Sequence, residues 1–271
     1  MTDIELPLLL EPEELRTQIG AEWLLLVDLS DHAVHAYYHI PGAVPLAYDD
    51  IVASQPPLMG LLPDSEHLSR VLSGIGLTDN HHVVAYDDGN NGKACRLLWT
   101  LDCLGHRRYS LLNGGLTAWS NTGLPLNNHA ETANSSRYHA RIEPQALADR
   151  AYIEQHLDDP SVVLLDTRSE SEFNGTVVRA RRGGHIPGAV NIEWTRAIDD
   201  HNDLRFRNAD ELRSLYELAG VTPDKQIITY CQTHHRSAHT YIVLKSLGYT
   251  DIKGYAGAWS EWGNLDDTPV E

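Results

Sequence analysis

His39-Ile40-Pro41-Gly42-Ala43 recurs as His185-Ile186-Pro187-Gly188-Ala189, and the match extends in both directions. Upstream, Leu24-Leu25-Leu26-Val27-Asp28 corresponds to Val162-Val163-Leu164-Leu165-Asp166, each a short apolar run of the kind that fills a buried parallel strand. Downstream, Leu68, Val71, Leu72 and Ile75 mark one face of a helix, and Leu212, Leu215, Tyr216 and Ala219 repeat that spacing. The second of these helices has Asn208 as its N-cap, Glu211 at N3, and Gly220 after its last periodic residue. Each copy continues with a strand (Val83 to Tyr86, Ile227 to Tyr230), a loop, a helix and a late Ala-Trp pair, Ala118-Trp119 and Ala258-Trp259. A repeat of this length constrains the architecture more than any other feature of the chain.

Strands that alternate with helices in both halves predict an α/β fold of two tandem domains, each a mainly parallel sheet flanked by helices. The polar stretch beginning Asn127-Asn128-His129 and reaching Ser135-Ser136 lacks helical or strand periodicity and reads as a linker. The expected division is therefore 1–126 for the first domain, 127–140 for the linker and 141–271 for the second domain. The competing reading, one α/β domain with accidental similarity, does not account for several elements matching in order.

The bulk numbers narrow the function. With 21 basic and 38 acidic residues the net charge is −17, so the overall field repels nucleic acid and anionic membrane surfaces. An anionic substrate must be drawn in by a local positive site. Three cysteines, Cys95, Cys103 and Cys231, form no close pair and point to a reducing compartment. Residues 1–5 carry acid where a signal peptide carries base, and no apolar run approaches about 18 residues, so the expected location is the cytoplasm.

Cys231 ends an apolar strand and opens Cys231-Gln232-Thr233-His234-His235-Arg236-Ser237, which leads into a helix. A thiolate there faces the N–H groups of a helix start, which favour an anion and lower a cysteine pKa. Open α/β sheets bind ligands at this carboxyl end of the strands. The bland alternative is a buried filler cysteine, the role assigned here to Cys95 and Cys103, which lie two helical turns apart. In the first copy the counterpart of Cys231 is Asp87, within Asp87-Asp88-Gly89-Asn90-Asn91-Gly92. That copy has lost its nucleophile, and a packing role beside the active cleft is left to it. Its loop resembles a calcium loop only in passing, because Leu98 stands where a closing glutamate is needed. His39 and His185, like Asp28 and Asp166, occur in the active and the silent copy alike and read as structural.

These residues resemble the rhodanese sulfurtransferases of the tandem-domain type with an inactive first domain. The resemblance covers nearly the whole chain: the His-Ile-Pro-Gly-Ala segments, Asp166-Thr167-Arg168, the lone loop cysteine and Gly257-Ala258-Trp259 stand in the family's order. The loop is most similar to that of the Azotobacter-type bacterial members. The resemblance implies that Cys231 takes a sulfane sulfur from thiosulfate or a similar donor, holds it as a persulfide, and passes it to cyanide or a thiol. No metal and no cofactor beyond the covalent persulfide is implied. Gln232, Thr233, His234, His235, Arg236 and Ser237 become the substrate-binding cradle, a nest of main-chain amides. Arg236 is expected to grip the donor through paired N–H groups and Ser237 to cap the following helix. The histidines serve as polar or electrostatic groups, since an ionised thiol needs no general base.

The loop departs from both donor-specific patterns of the family, and Glu172 occupies a position where an arginine is usual. Arg179, Arg181 or Arg182 could supply the missing charge, and Arg182 is the choice made from sequence. Trp194 is placed in the pocket wall, with core packing as its alternative. Three other functions compete. A cysteine-dependent phosphatase or arsenate reductase would place its arginine one position farther from the cysteine than Arg236 stands. A metal-binding role rests on the 15 histidines, but neighbouring histidines rarely ligate one ion and no metal-binding spacing occurs. A protein-partnered sulfur carrier, served by a desulfurase and a sulfur-accepting protein, fits the same residues.

Overall fold

The computed structural model describes residues 6–129, 131 and 133–271. Residues 1–5, and Ala130 and Thr132 of the expected linker, lie outside the described residues. The chain divides into two compact units. The first comprises the chain up to Ile51 with Pro63–Ile142 and Asp199–Phe206, and the second comprises Val52–Leu62, Glu143–Ile198 and Arg207–Glu271. A stretch of the first half of the sequence, Val52–Leu62, thus belongs to the second unit.

Each unit is built on a five-stranded parallel sheet. In the first, the strands run in the order Leu9–Leu10, Tyr109–Leu112, His82–Tyr86, Leu24–Asp28, Val44–Pro45. The second repeats it with Leu147–Ala148, Ile252–Tyr255, Gln226–Tyr230, Val162–Asp166, Val190–Asn191. The central strand of each sheet is the apolar run that precedes the loop, because only a run without polar alternation tolerates cover on both faces. The helix after each loop, Gly92–Cys103 or Arg236–Ser246, is likewise buried over most of its circumference. Cys95 and Cys103 are fully buried on the first of these, and burial pushes the Cys95 thiol well up, as inert fillers require. Among the described residues no helix is long and apolar enough to cross a membrane.

The second unit packs Leu164, Ile186, Ile228, Tyr230, Tyr255, Trp259 and Trp262 into one core. Its helix Ala209–Glu217 is capped by the Asn208 side chain, which accepts from the Asp210 amide. The residues shared by both copies form a repeated polar knot. Tyr86 donates to Asp28 at 2.9 Å and accepts from the Ile40 amide, while the Tyr230 hydroxyl accepts from the Ile186 amide. Asp166 is held by Arg168 through Nε and Nη2, and Asp28 is held by His35 at 2.6 Å. His39 stacks on His35, and His185 stacks on Phe173 while pairing with its carbonyl. Each knot ties a strand end to the start of the His-Ile-Pro-Gly-Ala segment, which is why both copies retain it irrespective of chemistry.

Candidate active site

The strand Gln226–Tyr230 delivers Cys231 to the carboxyl edge of the second sheet, where its thiol is fully buried. The loop backbone is fixed from outside. The amides of Trp259 and Ser260 donate to the carbonyls of Cys231 and Gln232 at 2.9 and 3.0 Å, which gives the recurring Ala-Trp pair its purpose. His234 holds a left-handed φ of 53°, an uncommon conformation for a residue with a side chain, and Ser237 Oγ secures it by bonding to Nδ1 at 2.7 Å. That turn reverses the chain so that the helix Arg236–Ser246 begins pointing at the sulfur.

The helix carries no side-chain cap at His235, and Ser237 sits in its first turn. Ser237 therefore does not serve as the cap expected from sequence. It donates instead to Cys231 through both its side chain and its backbone amide, and the Thr233 amide donates as well. The sulfur takes the place of the missing cap. Burial pushes the Cys231 thiol up, but the Arg236 charge and the Ser237 and Thr233 donors outweigh it and hold the group below the ordinary thiol range.

The first unit displays a matching ring around a carboxyl group, that of Asp87, whose pKa burial pushes up. Asp87 Oδ1 accepts from the amides of Gly89 and Asn91 at 2.8 and 2.9 Å, and Oδ2 from those of Lys93 and Ala94 at 2.9 and 3.1 Å. Gly89 and Lys93 stand from Asp87 as Thr233 and Ser237 stand from Cys231. The Asp87 carboxyl thus fills, in the first unit, the position that the Cys231 thiol holds in the second.

Arg236 pairs with two groups of its own unit. Its Nη1 and Nη2 donate to Glu172 Oε2 and Oε1 at 2.7 and 3.0 Å, so the paired fork is engaged by a buried carboxylate. A further side-chain hydrogen bond joins it to Cys231. Burial pushes the Glu172 carboxyl up, but Arg236 and the Ser169 cap pull it down to about 2. Arg179 Nε reaches Glu172 Oε1 at 3.1 Å. The Arg182 fork is consumed elsewhere, by donation to Thr268 and to the Trp262 carbonyl. Arg181 pairs with Asp266. Among the three arginines, Arg179 is the one that joins the Glu172–Arg236 pair.

Gln232 donates to the Arg179 carbonyl at 3.1 Å and so ties the loop to the segment that carries that arginine. Trp194 lies against His235 and His239, with ring centroids 6.0 and 5.1 Å away, at the start of the helix. Sequence reasoning missed Gly60. At φ +99° its backbone lies against the loop, and a Cβ there would fall 2.1 Å from the Thr233 carbonyl oxygen. Beside it, Met59 exchanges two hydrogen bonds with Ser260. Nothing in the sequence spacing signals this approach, which joins residues far apart in the chain.

The rhodanese-like domain model matches residues 11–122 and again 149–265. The chain is 43% identical over 266 residues to the thiosulfate sulfurtransferase of Azotobacter vinelandii, covering 98% of this chain and 97% of that one. It is 34% identical over 247 residues to the sulfur carrier protein TtuD of Thermus thermophilus, covering 86% and 85%. An anaerobic ergothioneine biosynthesis enzyme from Chlorobium limicola shares the fold with a TM-score of 0.87 at 21% identity, over 97% of this chain and 70% of that one. The chain belongs to the rhodanese family, with both of its units built as rhodanese-like domains.

Proposed function

We propose that this chain is a thiosulfate sulfurtransferase that carries sulfur as a persulfide on Cys231. The observation that carries the reading is the ring of donors from Thr233, Ser237 and Arg236 around one buried sulfur. Such a ring stabilises a thiolate before the reaction and a persulfide anion after it. The Cys231 thiolate attacks the outer sulfur of thiosulfate, a new S–S bond forms, the old one breaks, and sulfite leaves with the electron pair. Cyanide or a thiolate then attacks the outer sulfur of the persulfide, and the Cys231 thiolate is restored. Atoms and charge balance without an external oxidant or reductant, and the persulfide itself takes the place of a cofactor. The two half-reactions predict ping-pong kinetics. The protein works in the cytoplasm, where thiols stay reduced.

A second reading follows from the relative named as a sulfur carrier protein: Cys231 receives sulfur from a protein desulfurase and delivers it to a sulfur-accepting protein. Intact mass measurement tests both. One sulfur atom added after thiosulfate treatment, and none in Cys231→Ala, supports the enzyme. Loading by a desulfurase but not by thiosulfate supports the carrier.

A further inference from the structure

The carboxylate of Glu172 is 3% exposed, yet it is not needed to ionise Cys231 and opposes any anion that approaches it. It reaches its place from the short helix Glu170–Phe173, whose start it secures by a reciprocal capping box with Ser169. Ser169 Oγ also donates to Oε2 at 3.0 Å, so the carboxylate is held from its own helix before any arginine is counted. Both Nη atoms of Arg236 then close on it, and Arg179 adds a third cationic contact from the solvent side. A guanidinium has five N–H donors in a fixed plane. With one hydrogen of each Nη directed to Glu172, the end-on fork that would grasp two oxygens of a sulfonate is occupied. What remains for Cys231 and an incoming donor is the side of the plane and the main-chain ring.

We propose that Glu172 is the positioning and charge-setting residue of the Cys231 cradle: it orients Arg236 toward the sulfur and biases the site toward sulfane donors of low negative charge over the thiosulfate dianion. The inference rests on the sulfurtransferase reading and deepens it by naming what sets donor selectivity. Its basis is simple. One carboxylate acts on a dianion with about twice the energy it exerts on a monoanion at the same place, so its removal helps the dianion by the square of the factor for the monoanion.

Glu172→Gln retains the shape and removes the charge, while Glu172→Asp retains the charge and shortens the reach. In Glu172→Gln the KM for thiosulfate should fall roughly tenfold and that for methanethiosulfonate, a monoanionic donor, roughly threefold. Its kcat should fall for both donors, because Arg236 is no longer held in register. Glu172→Asp should lower kcat, counted per alkylatable Cys231 thiol, without lowering either KM; the lowered KM values of Glu172→Gln are the change that loss of fold alone does not produce. A turnover-independent probe accompanies these: the ratio of Cys231 alkylation rates by iodoacetate and iodoacetamide should rise about threefold in Glu172→Gln. Equal KM changes for the two donors, or an unchanged alkylation ratio, would overturn the inference. A wild-type protein that takes no sulfur from either donor, but whose alkylation ratio rises in Glu172→Gln, would sink the proposed reaction and leave the role of Glu172 standing.

Discussion

Replacement of Arg236 by methionine removes its charge at similar chain length, and the structure sets what this costs. The Glu172 carboxyl stands at about 2 in the folded protein against an ordinary 4.5. A shift of that size corresponds to about 3 kcal/mol if both partners were sequestered. The Ser169 donors and the 63% exposed, solvent-screened Arg179 stay as partners and retain part of the shift, so the expected loss is about 2 kcal/mol. The sign follows from linkage: a depressed carboxyl contributes stability above its unfolded value, and that contribution disappears as the pH falls through its folded value. The wild type should therefore exceed Arg236→Met by about 2 kcal/mol at pH 7, with the gap closing from about pH 4.5 down to about 2. The same substitution removes the attraction that, after burial, weighs most on the Cys231 thiol, so that pKa must rise. Urea unfolding across pH measures the first effect, and the pH dependence of iodoacetamide alkylation the second. In an Arg236→Met background, Glu172→Gln should cost almost nothing further, with a coupling of about 2 kcal/mol in the double-mutant cycle. An unchanged alkylation midpoint together with additive stability losses would refute the assignment of Arg236 as the counter-charge of this site.

Three other outcomes follow from the geometry. At pH 7 Cys231 should alkylate ahead of Cys95 and Cys103 in mass-resolved kinetics, because donors hold its thiol down while burial pushes Cys95 up; equal rates would contradict an activated thiol. Asp87→Ala should destabilise the first unit by about 2–4 kcal/mol, since it strands amides that now donate to the carboxylate, while sulfur transfer per folded molecule stays near wild type; a lost persulfide in folded protein would contradict the silent copy. Gly60→Ala should lower kcat and cost at least about 2 kcal/mol, because its Cβ would collide with the Thr233 carbonyl and its φ disfavours a side chain; unaltered kinetics would show that the loop does not depend on this contact.

The parts of the site that could be read in advance were local ones. An apolar strand followed by Cys231 and a helix start already specifies an anion-binding turn, and the repeat exposed which residues both copies keep. What could not be read was where the long side chains end. The Arg236 fork closes on Glu172 while the same guanidinium reaches Cys231, and the Arg182 fork closes on Thr268 and Trp262. Arginine reaches several ångströms from its Cα, so sequence position does not determine the partner it finds. Ser237 illustrates the same point at shorter range. Its residue type suits a cap, but the left-handed turn at His234 starts the helix earlier and sends the hydroxyl to the sulfur instead.

By itself the sequence determined the two-fold α/β design, the parallel central strands and the placing of a lone cysteine at the turn into a helix. Those depend on apolar periodicity and on chain-local turns, both of which act between near neighbours. Only the tertiary structure decided the Glu172–Arg236–Arg179 cluster, the approach of Gly60 and the filling of the first unit's ring by Asp87. These arise from packing that brings distant segments within a few ångströms, where a single carboxylate or a missing Cβ sets the electrostatics and the room available to one sulfur atom.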